Sequence, residues 1–249
     1  MLDASSLPIV LDAYGPERTS LLTLLGELSP EDWSRPTECP AYDVKGVATH
    51  VLGDDLSLLS RQRDAAEDGL SRLGREMPGA EFRTLLDTFN DRWVAAAAFL
   101  STNLVMLLLR LTGEWTEAYY RAVDPEAPGE SVGLFGARPE QASPFWQAIA
   151  REYFERWIHH AQIRRALGLP SPAERRFLVP GIEVVGAIAR MEPIVPGGED
   201  GAWAVGPMVL GPAQQAADIL TRGHTAAEIA ALVSGPTDMV GLLAAALGR

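Results

Sequence analysis

The chain has 249 residues, 47% of them hydrophobic and 22% charged, enough to bury a substantial core in one large domain or two modest ones. Its formal charge of -12 argues against nucleic acid as a partner, because phosphate recognition needs a basic face that releases counterions. The single cysteine, Cys39, excludes an intramolecular disulfide framework and a multi-cysteine zinc knuckle, so a metal here must be held mainly by nitrogen and oxygen.

The opening Met1-Leu2-Asp3-Ala4-Ser5-Ser6 lacks a basic run before an apolar stretch, which predicts a cytoplasmic protein. Apolar residues at helical spacing from Val10 to Leu25 predict a first amphipathic helix ending near Leu28, with Gly15-Pro16 as a point of kinking or breakage. Ser29-Pro30-Glu31-Asp32 combines an N-cap, a proline at the first helical position and acidic residues in the first turn, and predicts a short helical turn carrying Trp33. A proline-bearing loop, 35–42, leads to a second helix over about 43–66; residues 69–79 read as a connection.

Helices are expected over about 81–100 and 104–123, meeting at a polar junction where Ser101 is a candidate N-cap. The apolar stretch 93–109 that they share is short for a bilayer span and is broken by Ser101-Thr102-Asn103, so no membrane association is expected. Residues 125–139 read as a long ordered loop. Helix restarts near Ser143-Pro144 and runs to Leu167-Gly168, where Gly168 and Pro170 form a stop, and another helix covers about 174–191. Beyond Pro193 the sequence offers one strand candidate, 202–205, and short alanine-rich amphipathic segments. The expected organisation is a helical bundle over 1–170 and a small α+β domain over 171–249, mostly α overall.

Glu155 and His159 stand four residues apart, so both leave one face of the same helix and can share a cation. The spacing alone also suits a surface pair. His50, inside the apolar run Val47 to Leu52, needs a partner to offset its burial. If the two helices are neighbours, His50, Glu155 and His159 make the two-imidazole, one-carboxylate set of a catalytic metal site with an open position, a set that suits zinc, iron or nickel.

The stretch Trp33-Ser34-Arg35-Pro36-Thr37-Glu38-Cys39-Pro40-Ala41-Tyr42-Asp43-Val44 followed by His50, together with Glu155-Arg156-Trp157-Ile158-His159, Gln162-Ile163-Arg164 and Ala166-Leu167-Gly168, resembles the mycothiol-dependent maleylpyruvate isomerase family of DinB-like bundles. That resemblance implies a four-helix bundle with a metal, usually zinc, on His50, Glu155 and His159, and a C-terminal domain similar to sterol carrier proteins. It also implies a low-molecular-weight thiol such as mycothiol whose sulfur the metal activates for isomerisation or transfer. Gln162 stands where many members carry aspartate; an amide orients a ligand but is no general base, which counts against the maleylpyruvate reaction itself. Residues 194–212 look too short for the usual C-terminal sheet, so a reduced one is expected.

Asp54 is a candidate acceptor for His50 or the solvated end of a polar turn, and Arg61 a candidate receptor for an anionic group or a solvent partner of nearby carboxylates. Asn90, beside Arg92 and Trp93, is a pocket candidate. Arg249 resembles a family ending that reaches the site. His160 points about 100° away from His159 and is not expected to bind the metal. Cys39 reads as a small packed residue and His224 as a turn residue. Two functions compete: a metal-dependent enzyme on a small organic substrate, with Gln162, Asp54 and Arg61 positioning it, or a binding bundle without turnover; an enzyme that has abandoned the thiol is a variant of the first. The substrate and oligomeric state are not legible in these residues.

Overall fold

The computed structural model describes residues 3–67, 69–129, 143–197, 201–222 and 224–247. The chain is mostly α with one small antiparallel sheet, as expected, and divides into two compact units, one of residues 18–122 and the other of 1–17 with 123–249. Helix α1 (Leu7–Gly26) crosses the division at Glu17–Arg18 and carries Pro16 without being ended by it.

In the unit of residues 18–122, α2 (Pro30–Trp33) opens with the expected capping box: Ser29 accepts from the Asp32 amide, and Asp32 returns the bond to the Ser29 backbone. The following loop is pinned by Thr37, whose hydroxyl donates to the Tyr42 carbonyl (2.7 Å) and accepts from the Cys39 amide (3.1 Å). Asp43 then caps α3 (Val44–Leu58) through the Gly46 amide at 2.7 Å. Val44, Val47, Ala48, Val51, Leu52 and Leu58 form the inner face of α3, which packs on α5 (Phe82–Ala97) and α6 (Thr102–Ala122).

Two features of this unit depart from the sequence reading. Helix α3 ends at Leu58 in a π-turn, Leu59–Arg63, rather than continuing as α-helix to 66. The expected connection at 69–79 holds a helix, α4 (Gly69–Glu76), with Leu73 buried; its two glycines hid the pattern, yet Gly69 is what lets the Phe89 ring approach, since a Cβ there would stand 2.5 Å from the ring. At the junction between α5 and α6, Ser101 accepts from the Leu104 amide at 3.2 Å, the predicted cap.

A buried polar cluster ties this unit together. Arg18 Nη1 pairs with Asp55 Oδ2 at 2.8 Å and donates to the Leu109 carbonyl, while the Thr112 hydroxyl donates to the same Asp55 oxygen at 2.7 Å. Asp55 is fully buried, so these partners replace the water its charge has lost.

The other unit is built on α7 (Phe145–Ala166), apolar on nearly every side and covered accordingly, with Tyr153, Trp157, Ile158 and Ile163 all at or below 1% exposure. Its buried polar tips are matched: Tyr14 donates to the Ile149 carbonyl, Tyr153 to that of Phe177, and Trp157 to that of Pro172. Gly168, in the left-handed region at φ 74°, ends the helix as the Gly-Leu-Pro sequence predicts. Helix α8 (Arg175–Ala189) packs on α7 where Gly181 admits the Trp157 ring.

The sheet has three strands in the order β1 (Pro193–Ile194), β2 (Trp203–Val205), β3 (Met208–Gly211), with Ile194 opposite Ala204 and Val205 opposite Met208. Only β2 was legible beforehand: β1 and β3 are too short to show alternation, and the turn between β2 and β3 rests on Gly206 at φ 55°. Helices α9 (Ala213–Thr221), α10 (Ala226–Leu232) and α11 (Thr237–Leu247) are the predicted alanine-rich segments, α10 opening on a Thr225–Glu228 capping box. The reduced sheet matches the shortness of 194–212. Part of the loop expected at 125–139 lies outside the described residues; 123–129 is free of helix and Pro128 bridges to Pro144.

Candidate functional site

His50 lies in mid-α3, its side chain 12% exposed, and Asp54 follows one turn later, 33% exposed. His50 Nε2 and Asp54 Oδ2 are 3.5 Å apart. Two donors each about 2.0 Å from one ion at a tetrahedral angle stand about 3.3 Å apart, so the spacing fits two ligands of a single cation as well as an ion pair. Sequence reasoning gave Asp54 only a supporting role. The i,i+4 relation that signals a shared ligand face for Glu155 and His159 was equally present at His50 and Asp54 and was not weighed in that way.

The His50 ring is held from one side by Tyr42, the rings 29° from parallel with centroids 5.9 Å apart. Tyr42 is itself fixed by its hydroxyl, which donates to Asp91 Oδ1 at 2.8 Å. Burial, and then the bond to the Asp91 carboxylate, push the Tyr42 phenol well above its usual range, so it stays a neutral donor.

On α7, in the other unit, Glu155 and His159 are both half-buried and one turn apart. His159 Nδ1 lies 2.9 Å from Gln162 Oε1. An amide oxygen can only accept, so in this arrangement Nδ1 carries the proton and Nε2 keeps its lone pair for a metal. His160 faces away from this pair, as expected, and is fully buried against Glu17 at 3.0 Å, a partner 143 residues distant that local spacing could not reveal.

The remaining candidates are placed as follows. Arg61 is half-buried within the π-turn. Asn90 is half-buried on α5; its neighbours Arg92 and Trp93 line a groove of about 410 Å³ with Leu73, Glu76 and Phe89, where Arg92 pairs with Glu76 at 2.8 Å. Arg249 lies outside the described residues. Cys39 is half-buried, and burial raises its thiol, which makes it a poor nucleophile. Among the described residues no helix is long and apolar enough to cross a membrane.

No curated protein and no solved structure matches the chain. A family model described as the mycothiol maleylpyruvate isomerase N-terminal domain matches residues 14–164, more than half of the 249, a span that contains the α3 and α7 pairs together with Gln162. The chain belongs to the mycothiol maleylpyruvate isomerase N-terminal domain family.

Proposed function

We propose that this protein is a metal-dependent enzyme that acts on a small organic molecule with a low-molecular-weight thiol of the mycothiol type, by S-transfer or cis-trans isomerisation. The observation that carries the reading is the repetition of one device: an imidazole and a carboxylate one helical turn apart, His50 with Asp54 on α3 and Glu155 with His159 on α7, in a chain of this family. Imidazoles and carboxylates are the donors of a catalytic divalent-metal site, zinc first, with nickel or iron suited to the same set.

In this reading His50, Glu155 and His159 hold the metal, with Asp54 either a fourth donor or the acceptor that orients His50. The chemistry supplied at such a site is ionisation of a coordinated thiol at neutral pH. Gln162 holds the His159 ring in the tautomer that presents Nε2. Arg61 receives an anionic group of thiol or substrate, Asn90 and Arg249 contribute to binding, and no side chain at position 162 removes a proton, which favours transfer of the thiol over the maleylpyruvate reaction.

Elemental analysis of the purified protein tests the assignment: about one divalent metal per chain in the wild type, and loss of it in His50→Ala and His159→Ala. Glu155→Ala and Asp54→Ala, measured in parallel, separate the two carboxylates: the ligand variant loses metal, the orienting variant keeps it with lower affinity. Metal content unchanged by all four substitutions ends the proposal. With the metal loaded, consumption of an electrophilic substrate should depend on added mycothiol.

A further inference from the structure

Helix α6 carries two apolar rows. Val105, Leu109, Thr112, Thr116 and Tyr120 form the inner row, all buried, on the side that meets α3. Leu104, Leu107, Leu108, Leu111 and Trp115 form a second row at i, i+3, i+4, i+7 and i+11, about 120° around the helix from the first. This outer row is uncovered: Leu104 is 39% exposed, Leu107 45% and Trp115 48%, and Phe99, three residues before the helix, is 95% exposed. A helix apolar on both sides is the pattern of one that is covered on both sides.

Charge identifies the covering surface. The chain as a whole carries -12, but the ionisable residues of α6, Arg110, Glu114, Glu117 and Arg121, cancel, and Arg110 and Glu114 flank the outer row fully exposed to solvent. A face without net charge gives an acidic or basic partner nothing to complement, whereas it lets two copies of an acidic chain meet without local repulsion. The order of the charges fixes the direction. Side by side in parallel, Arg110 meets Arg110 and Glu114 meets Glu114; antiparallel about a twofold near Thr112, each Arg110 reaches the other copy's Glu114, and each Trp115 falls between the other copy's Leu108 and Leu111.

We propose that the outer face of α6 docks on the same face of a second copy of this chain, the two helices running antiparallel. The helix is about 31 Å long, sufficient for a seam of three to four turns. Trp115 is its anchor, stiffened by the Arg63 guanidinium 5.9 Å from the ring.

Sedimentation velocity of the full chain from low to high micromolar concentration tests this. The wild type should be a dimer that weakens by at least about thirtyfold in Leu107→Glu and in Trp115→Glu, with circular dichroism and melting cooperativity unchanged. A monomeric wild type overturns the proposal, as does a dimer that both folded variants leave intact. Cross-linking keeps the orientation open to refutation should the glutamate variants unfold. In a Cys39→Ser background, Leu108→Cys protein mixed with Trp115→Cys protein should be joined by a short bis-maleimide more efficiently than either alone. Equal or better joining of like with like, or none at all, rules out the antiparallel seam.

Discussion

The amide oxygen of Gln162 accepts from Nδ1 of His159 at 2.9 Å, and this one contact determines which ring nitrogen keeps a lone pair. Gln162→Leu removes the acceptor, and metal affinity should fall about ten- to hundredfold. Gln162→Glu retains an acceptor and should bind at least as tightly as wild type. Titration of the apo-protein with zinc against a chromophoric chelator measures both; wild-type affinity in Gln162→Leu would remove the orienting role.

Asp55 and Arg18 are a buried pair whose loss leaves one charge without compensation. Asp55→Ala should cost about 3–5 kcal/mol, and Thr112→Val, which removes one neutral donor to the carboxylate, about 1 kcal/mol. Replacing both charges, Arg18→Met with Asp55→Leu, should recover most of the loss, since a pair of apolar side chains needs no mutual neutralisation. Urea denaturation gives all three as shifts in midpoint.

Gly53 lies under the Trp93 indole, where a Cβ would stand 2.3 Å from the ring. The ring is held by its N–H, which donates to the Thr49 carbonyl at 2.6 Å, and cannot swing aside without losing that bond. Gly53→Ala should destabilise by about 1–3 kcal/mol. Gly26→Ala, with open space around the added carbon, should stay within about 0.5 kcal/mol. Thermal or urea unfolding compares the two.

Burial lowers the pKa of His224 below the ordinary histidine value, against a smaller opposing pull from Glu228. The folded chain therefore binds this proton less readily than the unfolded chain. Below the unfolded pKa of about 6.5 the unfolded state gains protons first, so this contribution to stability is present above that pH and is lost as pH falls through the folded pKa. His224→Gln should flatten the decline in stability between pH 7.5 and pH 5.5, a window defined by about one unit either side of the unfolded value. Parallel slopes for the two proteins across that window would contradict the assignment.

What the sequence made legible was local. Ser29, Asp43, Ser101, Thr225 and Gly168 announce helix ends because caps and left-handed stops act within four residues of their own position. The Glu155–His159 face and the role of Gln162 as an orienting amide are readable for the same reason, both lying within one turn. What stayed hidden depends on distant residues or on very short ones. Nothing near Asp55 names Arg18, and nothing near His160 names Glu17, because those pairs are made by packing. Strands β1 and β3 are shorter than the period needed to recognise them, and the glycines of α4 mask a helix that tertiary contact with Phe89 stabilises.

The wide turn at Leu59–Arg63 accommodates one more residue than an α-helical turn would. Excising a single residue there would restore ordinary pitch and rotate whatever follows by about 100°, while His50 and Asp54, both upstream, kept their phase. The segment thus behaves as an adjustable joint: the direction in which Arg61 and its neighbours project can be retuned by a one-residue length change, leaving the donor pair on α3 undisturbed.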